Sequence, residues 1–207
     1  MTVQHGVPTR RGPRGPYAKS EHTKKAILDA ALEVFAEAGY RSGSLRDVAE
    51  RVGISEAGLL HHFPSKSALL AQVLERRDEQ TQAQFNFDPA DGAEAVRNLV
   101  ALARYNASTP GVVELYCTLS AEATSPDHPA HGYFARRYDF TRDMIQRAFE
   151  DLQNHGKLRN GVDPATAARG VIAIFDGLQI QWLLDRGVLD MADELRAYLH
   201  TVVTIEV

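Results

Sequence analysis

Apolar residues recur at intervals of three and four along most of this chain, which is the spacing of one buried face of an α-helix. The first periodic stretch runs from about Glu21 to Ala38 and carries Ile27, Val34 and Phe35 on one stripe. Later stretches predict helices near residues 45–52, 55–62, 65–80, 92–108, 112–124, 130–154, 164–186 and 190–201. No segment alternates apolar and polar residues as a half-buried strand does. The pattern therefore predicts an all-α fold.

The segment from Pro164 to Arg186 is apolar around its whole circumference, not along one stripe only. A helix of this kind is buried on several sides. Gly170 and Gly177 would let another helix approach closely. An intrachain core explains part of this pattern, and an interface between two copies of the chain explains more of it.

Two short periodic stretches around a glycine turn stand just before a third helix. Ser44 is placed to cap the first stretch, and Asp47 suits the positive end of that helix. Gly53 can end it with a positive φ, and Ser55 can cap the next helix. Pro64 then stops that second helix. The order predicts a helix-turn-helix sized for the DNA major groove, although a generic helical hairpin would show the same signals.

This region resembles the N-terminal domain of the TetR family of transcriptional regulators. The resemblance lies in Gly39-Tyr40, Asp47-Val48-Ala49, Val52-Gly53-Ile54-Ser55, Leu59, His61-His62-Phe63-Pro64-Ser65-Lys66 and Leu69-Leu70. It runs without a gap from about Thr23 to Leu70. Leu60 departs from the pattern, because the family usually has a phosphate-contacting Tyr there, and Gly43 stands where a hydroxyl residue is common. These departures affect single DNA contacts and not the fold.

Residues 1–20 are basic and contain several Gly and Pro, a composition that predicts a flexible basic tail. The resemblance implies a three-helix helix-turn-helix DNA-binding domain over residues 21–68 and a helical ligand-binding and dimerisation domain over residues 69–207. The second helix of the pair would read DNA bases, and its neighbours would hold the phosphates. The expected DNA-binding residues are Ser44, Ser55, Glu56, Ala57, Gly58, His61, His62, Lys66, Arg14, Lys24 and Lys25.

Charge is distributed unevenly along the chain, whose formal net charge is −4. Residues 1–77 carry 12 Lys and Arg against 8 Asp and Glu, whereas the rest carry 11 against 19. A basic first part and an acidic remainder indicate a nucleic-acid-binding end and a different task for the rest. Arg10, Arg11 and Arg14 in the tail resemble an arm for the DNA minor groove, and a disordered tail with diffuse attraction to DNA is equally compatible.

The second domain carries aromatic and amide residues that suit a ligand cavity. Phe175, Gln179 and Trp182 share a helical face, and each also suits an ordinary core position. The expected ligand-binding residues are Tyr105, Tyr116, Phe134, Tyr138, Phe175, Gln179 and Trp182, around a small apolar or aromatic effector. The polar run from Arg76 to Gln80 is expected to be exposed.

The family forms its dimer through the last two helices of each subunit. The resemblance therefore implies a homodimer interface that includes Ile174, Gly177, Leu178, Leu184, Leu195 and Leu199.

The sequence contains no phosphate loop, Rossmann glycine pattern or nucleophile elbow, so we expect no enzyme and no cofactor. We expect no metal site either, because adjacent His61 and His62 point in different directions and Pro129 favours a turn between His128 and His131. A lone Cys117 and the lack of a long apolar run predict a cytoplasmic protein.

The function most consistent with these patterns is a ligand-responsive transcriptional repressor that binds a near-palindromic operator as a homodimer. A small apolar or aromatic molecule would release it from the DNA. The alternative is a small-molecule-binding helical protein or an enzyme whose helix-turn-helix has lost its role on DNA.

Overall fold

The computed structural model describes residues 16–207, with side chains from Lys19 onward. The described helices are α1 (Pro16–Ser42), α2 (Leu45–Val52), α3 (Glu56–His62), α4 (Lys66–Gln84), α5 (Gly92–Ala107), α6 (Pro110–Glu122), α7 (His131–Asn154), α8 (Pro164–Leu184) and α9 (Met191–Val202). A single β-bridge joins Leu158 to Val203 in this part of the chain. The expected all-α fold is thus confirmed.

Two helix starts differ from the expectation. α1 begins at Pro16, so residues 16–20 of the predicted tail are helical, and it continues past a kink at Gly39 (φ 75°, ψ 160°) to Ser42. α6 begins at Pro110 instead of Val112. Proline is favoured in a first helical turn because the backbone N–H that it lacks would have no helical partner there.

A first apolar core holds the helix-turn-helix together, and α4, α6 and α7 contribute to it as well. Phe35, Leu59 and Phe63 are fully buried in this core. Burying side chains of this size stabilises the fold by roughly 1.5–3 kcal/mol each. Phe63 adopts an extended conformation directly after α3, where Pro64 was expected to stop the helix, and its ring is buried in the first core.

α4 belongs to both halves of the chain. Leu69, Leu70, Val73 and Leu74 of its first half are buried in the first core. In its second half, Arg76 donates from Nε and Nη2 to the Asp29 carboxylate of α1, at 2.9 and 3.0 Å. The same helix therefore holds α1 at one end and continues toward the helices of the second half.

A second core joins α5, α7, α8 and α9, with Phe149, Leu195 and Leu199 fully buried. A Cβ added at Gly170 would overlap the hydroxyl of Tyr198, so this glycine lets α9 pack closely on α8. Part of the all-round apolar character of α8 is therefore explained within one chain. Among the described residues, no helix is long and apolar enough to cross a membrane.

Candidate nucleic-acid interface and ligand cavity

Local hydrogen bonds fix the geometry of α2 and α3. The Ser44 hydroxyl accepts from the Asp47 N–H at 3.1 Å, and the Ser44 N–H donates to the Asp47 carboxylate at 3.0 Å. The Ser44 hydroxyl also donates to the Asp47 carboxylate at 2.7 Å, and this bond, followed by the one from the Ser44 N–H, lowers the pKa of Asp47. Gly53 then ends α2 with φ 75°, and the Ser55 hydroxyl accepts from the Gly58 N–H at 3.1 Å. The turn and both caps follow the sequence prediction, and they orient α3 relative to α2.

The outer face of α3 is open. Glu56, Ala57 and His61, three of the residues expected to read bases, are exposed together, while Leu59 points into the core. Gly58 and His62 are half-buried. Leu60, the position at which the sequence departs from the expected phosphate-contacting Tyr, is also 39% exposed. An apolar side chain there can contact a thymine methyl group and cannot donate to a phosphate.

Lys66 is engaged within the chain. Its ammonium donates to the carbonyl of Arg41 at 3.0 Å and lies 4.7 Å from the ring centre of Tyr40. Burial lowers its pKa. One of the three N–H donors of its ammonium thus binds the end of α1, and the contact of Lys66 with a phosphate stays a prediction. The sequence could not show the contact with Arg41, since that residue lies 25 residues away.

Other basic residues remain available at this surface. Lys25 is exposed, and Lys24 lies 3.6 Å from Glu21 in an exposed ion pair. Arg46, in the first turn of α2, is exposed, and no described carboxylate lies within ion-pair distance of it. The sequence prediction did not include Arg46, although its position two residues after the Ser44 cap places it in the first turn of α2, where phosphate contacts are expected. Arg14 lies outside the described residues.

A cavity of about 160 Å³ lies among α4, α5, α6, α7 and α8. Five of the expected ligand-binding residues line it, namely Tyr116, Phe134, Tyr138, Phe175 and Gln179. Its aliphatic wall includes Leu99, Val113, Ile145, Val171 and Ile172. A mostly apolar enclosure with a few polar groups is typical of small-molecule sites.

Tyr105 and Trp182 do not line this cavity, which corrects their assignment. Tyr105 packs against Phe85 and lies beneath the guanidinium of Arg77. Trp182 is one turn beyond the last lining residues of α8, and it is buried in the second core with 6% of its surface exposed. A shared helical face predicted contact with one wall, but the cavity ends before Trp182.

A polar cluster on α4 and α7 lines one side of the cavity. Asp78 forms an ion pair with Arg137 and accepts from the Tyr133 hydroxyl at 2.5 Å. The Tyr116 hydroxyl donates to the carbonyl of Leu74 at 3.2 Å. Burial raises the pKa of Tyr116 to about 12, so this hydroxyl stays protonated and remains a donor at neutral pH. These bonds join α4 to α6 and α7 at the cavity.

The run from Arg76 to Gln80 is therefore not fully exposed as expected. Arg77 is only 8% exposed, and the Asp78 side chain is 20% exposed. Asp78 is paired with Arg137 of α7, and the guanidinium of Arg77 lies over the Tyr105 ring of α5. Periodicity within one helix does not reveal these contacts with other helices. Asp176, between Phe175 and Gly177, is the other cavity charge that sequence reasoning missed.

The expected dimer residues fall into two groups. Leu184 is 84% exposed, Ile174 and Leu178 are half-buried, and a Cβ added at Gly177 would meet no atom within 4 Å. Leu195 and Leu199 are fully buried in the second core. Their assignment to the interface is corrected, because a side chain enclosed in its own subunit cannot contact a partner.

A helix-turn-helix with an exposed second helix, joined through α4 to a helical unit with an internal cavity, defines a class of DNA-binding regulators that carry their own sensor. Residues 27–73 match the family model described as "Bacterial regulatory proteins, tetR family". Residues 93–205 match the model "BetI-type transcriptional repressor, C-terminal". The chain belongs to the TetR family of transcriptional regulators.

Individual relatives agree with this family. The chain is 26% identical over 193 residues to the HTH-type transcriptional regulator UidR of Escherichia coli K12, covering 90% of this chain and 95% of UidR. A TetR regulator from Haloarcula marismortui superposes with a TM-score of 0.74 at 18% identity, over 89% of this chain and all of that one. SmeT, the repressor of the Stenotrophomonas maltophilia multidrug efflux pump SmeDEF, superposes at 0.71 and 20% identity, over 89% of this chain and 92% of SmeT. The two superpositions show a shared fold.

Replacing Trp182 by Ala should lower the free energy of unfolding by about 3–5 kcal/mol, because a buried indole is lost and the core closes only partly. Urea denaturation measures this. The control Gln181→Ala, at the neighbouring exposed position, should change the free energy by no more than about 0.5 kcal/mol. A Trp182→Ala variant as stable as the control would show that the indole is not part of the core.

Proposed function

We propose that this chain is a ligand-responsive transcriptional repressor that binds a near-palindromic DNA operator as a homodimer in the cytoplasm. A small molecule with an apolar or aromatic body enters the cavity and releases the protein from DNA. The observation that carries the proposal is α4, which packs beneath the helix-turn-helix at one end and lines the cavity at the other.

The exposed face of α3 supports a role in reading DNA bases. Glu56 can accept from a cytosine amino group, and Ala57 and Leu60 can contact thymine methyl groups. Arg46 and the first turns of α2 and α3 would lie against phosphates. Two copies of α3 about 34–36 Å apart would then occupy successive major grooves.

An exposed apolar face on α8 and the loop after it supports a homodimer. Ile180 is 52% exposed, Leu184 84% and Val188 62%. Ile180 and Leu184 lie about one and two turns beyond Gly177 on α8, and Val188 lies in the loop after the helix. Contiguous exposed apolar side chains mark interaction sites, and the absence of a side chain at Gly177 would let a second α8 approach.

Release follows from a shift between two arrangements of α4. A molecule in the cavity contacts the side of α4 that carries Arg77 and Asp78, about one turn beyond Leu74, where the part of α4 buried in the first core ends. If the occupied cavity favours a different position of α4, the two α3 helices no longer match the groove spacing. The ligand acts only through its different affinity for the two arrangements.

SmeT has been solved in complex with triclosan, so the shared fold accommodates an aromatic occupant in that protein. The alternative function is an enzyme or carrier whose helix-turn-helix no longer acts on DNA, and Leu60 in place of a phosphate-binding Tyr favours it. The intact caps of α2 and α3 and the open face of α3 favour the regulator. Selection of bound sequences from random DNA decides between them, since only the regulator enriches a palindromic sequence.

Replacing His61 or Glu56 by Ala should reduce the preference for the selected operator over random DNA by about 5–100-fold, since each lost base contact removes about 1–3 kcal/mol of discrimination. Fluorescence anisotropy at several salt concentrations measures both affinities. Glu75→Ala, on the exposed side of α4, serves as the control and should leave the preference unchanged. An unchanged preference in both α3 variants would exclude this helix as the reader.

Replacing Leu184 by Glu should convert a dimer into a monomer, because it places a charge in the apolar face of α8. Light scattering should give twice the chain mass of 22.8 kDa for the unchanged protein and one chain mass for the variant. The control Thr118→Glu, at an exposed position on α6, should stay dimeric. A monomeric unchanged protein at micromolar concentration would overturn the dimer.

A compound that raises the melting temperature by binding the cavity should weaken operator binding by about 5–150-fold, the range of typical coupling energies. The operator should weaken compound binding by the same factor, because coupling between two sites is reciprocal. Titration of each ligand in the presence and absence of the other measures both factors. A cavity-bound compound that leaves operator affinity unchanged would contradict the release mechanism.

A further inference from the structure

The cavity contains charges of both signs, and their partners differ. Arg77, Asp78, Arg137 and Asp176 all line it. Asp78 forms an ion pair with Arg137 and also accepts from the Tyr133 hydroxyl. This pair is therefore neutral overall and has its hydrogen bonds supplied by the protein.

Arg77 also has partners within the chain. Its guanidinium donates to the Thr81 hydroxyl and lies 5.3 Å from the ring centre of Tyr105, which is outside the cavity. The aromatic face stabilises this cation through its quadrupole. Neither arginine is thus left to face the cavity without a partner.

Asp176 differs from these three residues. Its one hydrogen bond among the described residues comes from the Tyr138 hydroxyl, at 2.8 Å. No described Lys, Arg or His nitrogen lies within 4.0 Å of its carboxylate. Burial raises the pKa of Asp176, and the Tyr138 bond and the more distant charge of Arg137 offset this only in part. A carboxylate in this position favours a positive charge that the protein does not supply.

The walls next to Asp176 are aromatic. Phe175 precedes it on α8, Tyr138 binds it from α7, and Phe134 lies one turn before Tyr138. Aromatic faces attract cations and also accept apolar groups, so they suit a positively charged nitrogen on an apolar body. A small ammonium ion would lose more free energy by dehydration than it gains from one carboxylate in a largely apolar cavity. Burial of an apolar body attached to the nitrogen would add the remaining binding energy.

We propose that the effector cavity recognises an organic cation, with the protonated amine or ammonium nitrogen bound by the Asp176 carboxylate and the apolar body held by Tyr138, Phe134 and Phe175. This inference rests on the proposed function for the biological meaning of the cavity. The binding chemistry stands on the geometry of Asp176 alone. An anionic ligand bound at this position would be repelled by the Asp176 carboxylate, and the guanidinium of Arg137 is already paired with Asp78.

The test uses three probes with one common body, the phenylbutyl amine, alcohol and carboxylate, titrated into the full chain by calorimetry without DNA. The amine should bind about tenfold more tightly than the alcohol, which corresponds to a cation-recognition energy near 1.4 kcal/mol. The carboxylate should bind more weakly than the alcohol. Equal affinities for amine and alcohol, a preference for the carboxylate, or no binding of the amine at millimolar concentration would each overturn the proposal.

Two variants separate charge from structure. Asp176→Asn keeps an acceptor for Tyr138 and removes the charge, so the amine and alcohol should then bind within about twofold of each other. Tyr138→Phe removes the hydrogen bond and keeps the carboxylate, so it should retain the preference for the amine. An Asp176→Asn chain that still prefers the amine would exclude Asp176 as the cation partner. If that variant fails to fold, the probe ratios in the unchanged chain and in Tyr138→Phe still decide.

Operator release is measured separately with the same amine. Tight amine binding without DNA release would support the cation site and contradict the proposed repressor mechanism. Release of DNA by the alcohol as effectively as by the amine, at equal affinity, would support the repressor mechanism and contradict the cation site.

Discussion

Helix α4 packs in two different surroundings, the first apolar core at one end and the cavity at the other. Its position therefore links the DNA-facing helices to the cavity. Its first half is apolar and buried in the first core, which it shares with α1, α2 and α3, whereas Asp78 in its second half is paired with Arg137 of α7. Close-packed apolar contacts and paired buried charges both resist small displacements. We therefore expect α4 to move as a rigid unit. A change in its position at the cavity would then also change the position of α3.

The polar side chains of the cavity have two roles. Most of them bind neighbouring helices, and one of them is available to bind a ligand. The hydroxyls of Tyr116 and Tyr133 bind acceptors on α4, and the Asp78–Arg137 pair closes the same side. These bonds connect α4 to α6 and α7 on this side of the cavity. Asp176 is the cavity carboxylate that has no cationic partner among the described residues and only the Tyr138 hydroxyl as a donor, so it is the carboxylate most available to a ligand.

Local features of the fold were predictable from the sequence. Ser44, Gly53 and Ser55 act through neighbours no more than four residues away, so their caps and turn could be read directly. Contacts between distant residues could not. Lys66 binds a carbonyl 25 residues away. Trp182 and Leu199 have the sequence pattern of cavity or interface residues, but neighbouring helices of the same chain bury them in the second core. Helical periodicity indicates that a face is buried, but not which surface covers it.

The most direct test of the role of α4 is a distance between the two helix-turn-helix units of a dimer. A spin label at exposed Ala38, introduced as Ala38→Cys in a Cys117→Ser background, reports this distance by pulsed electron paramagnetic resonance. With a compound that binds the cavity and releases the operator, the distance should shift away from its value in the operator complex, in which the α3 helices are about 34–36 Å apart. An unchanged distance despite compound binding and operator release would contradict the account.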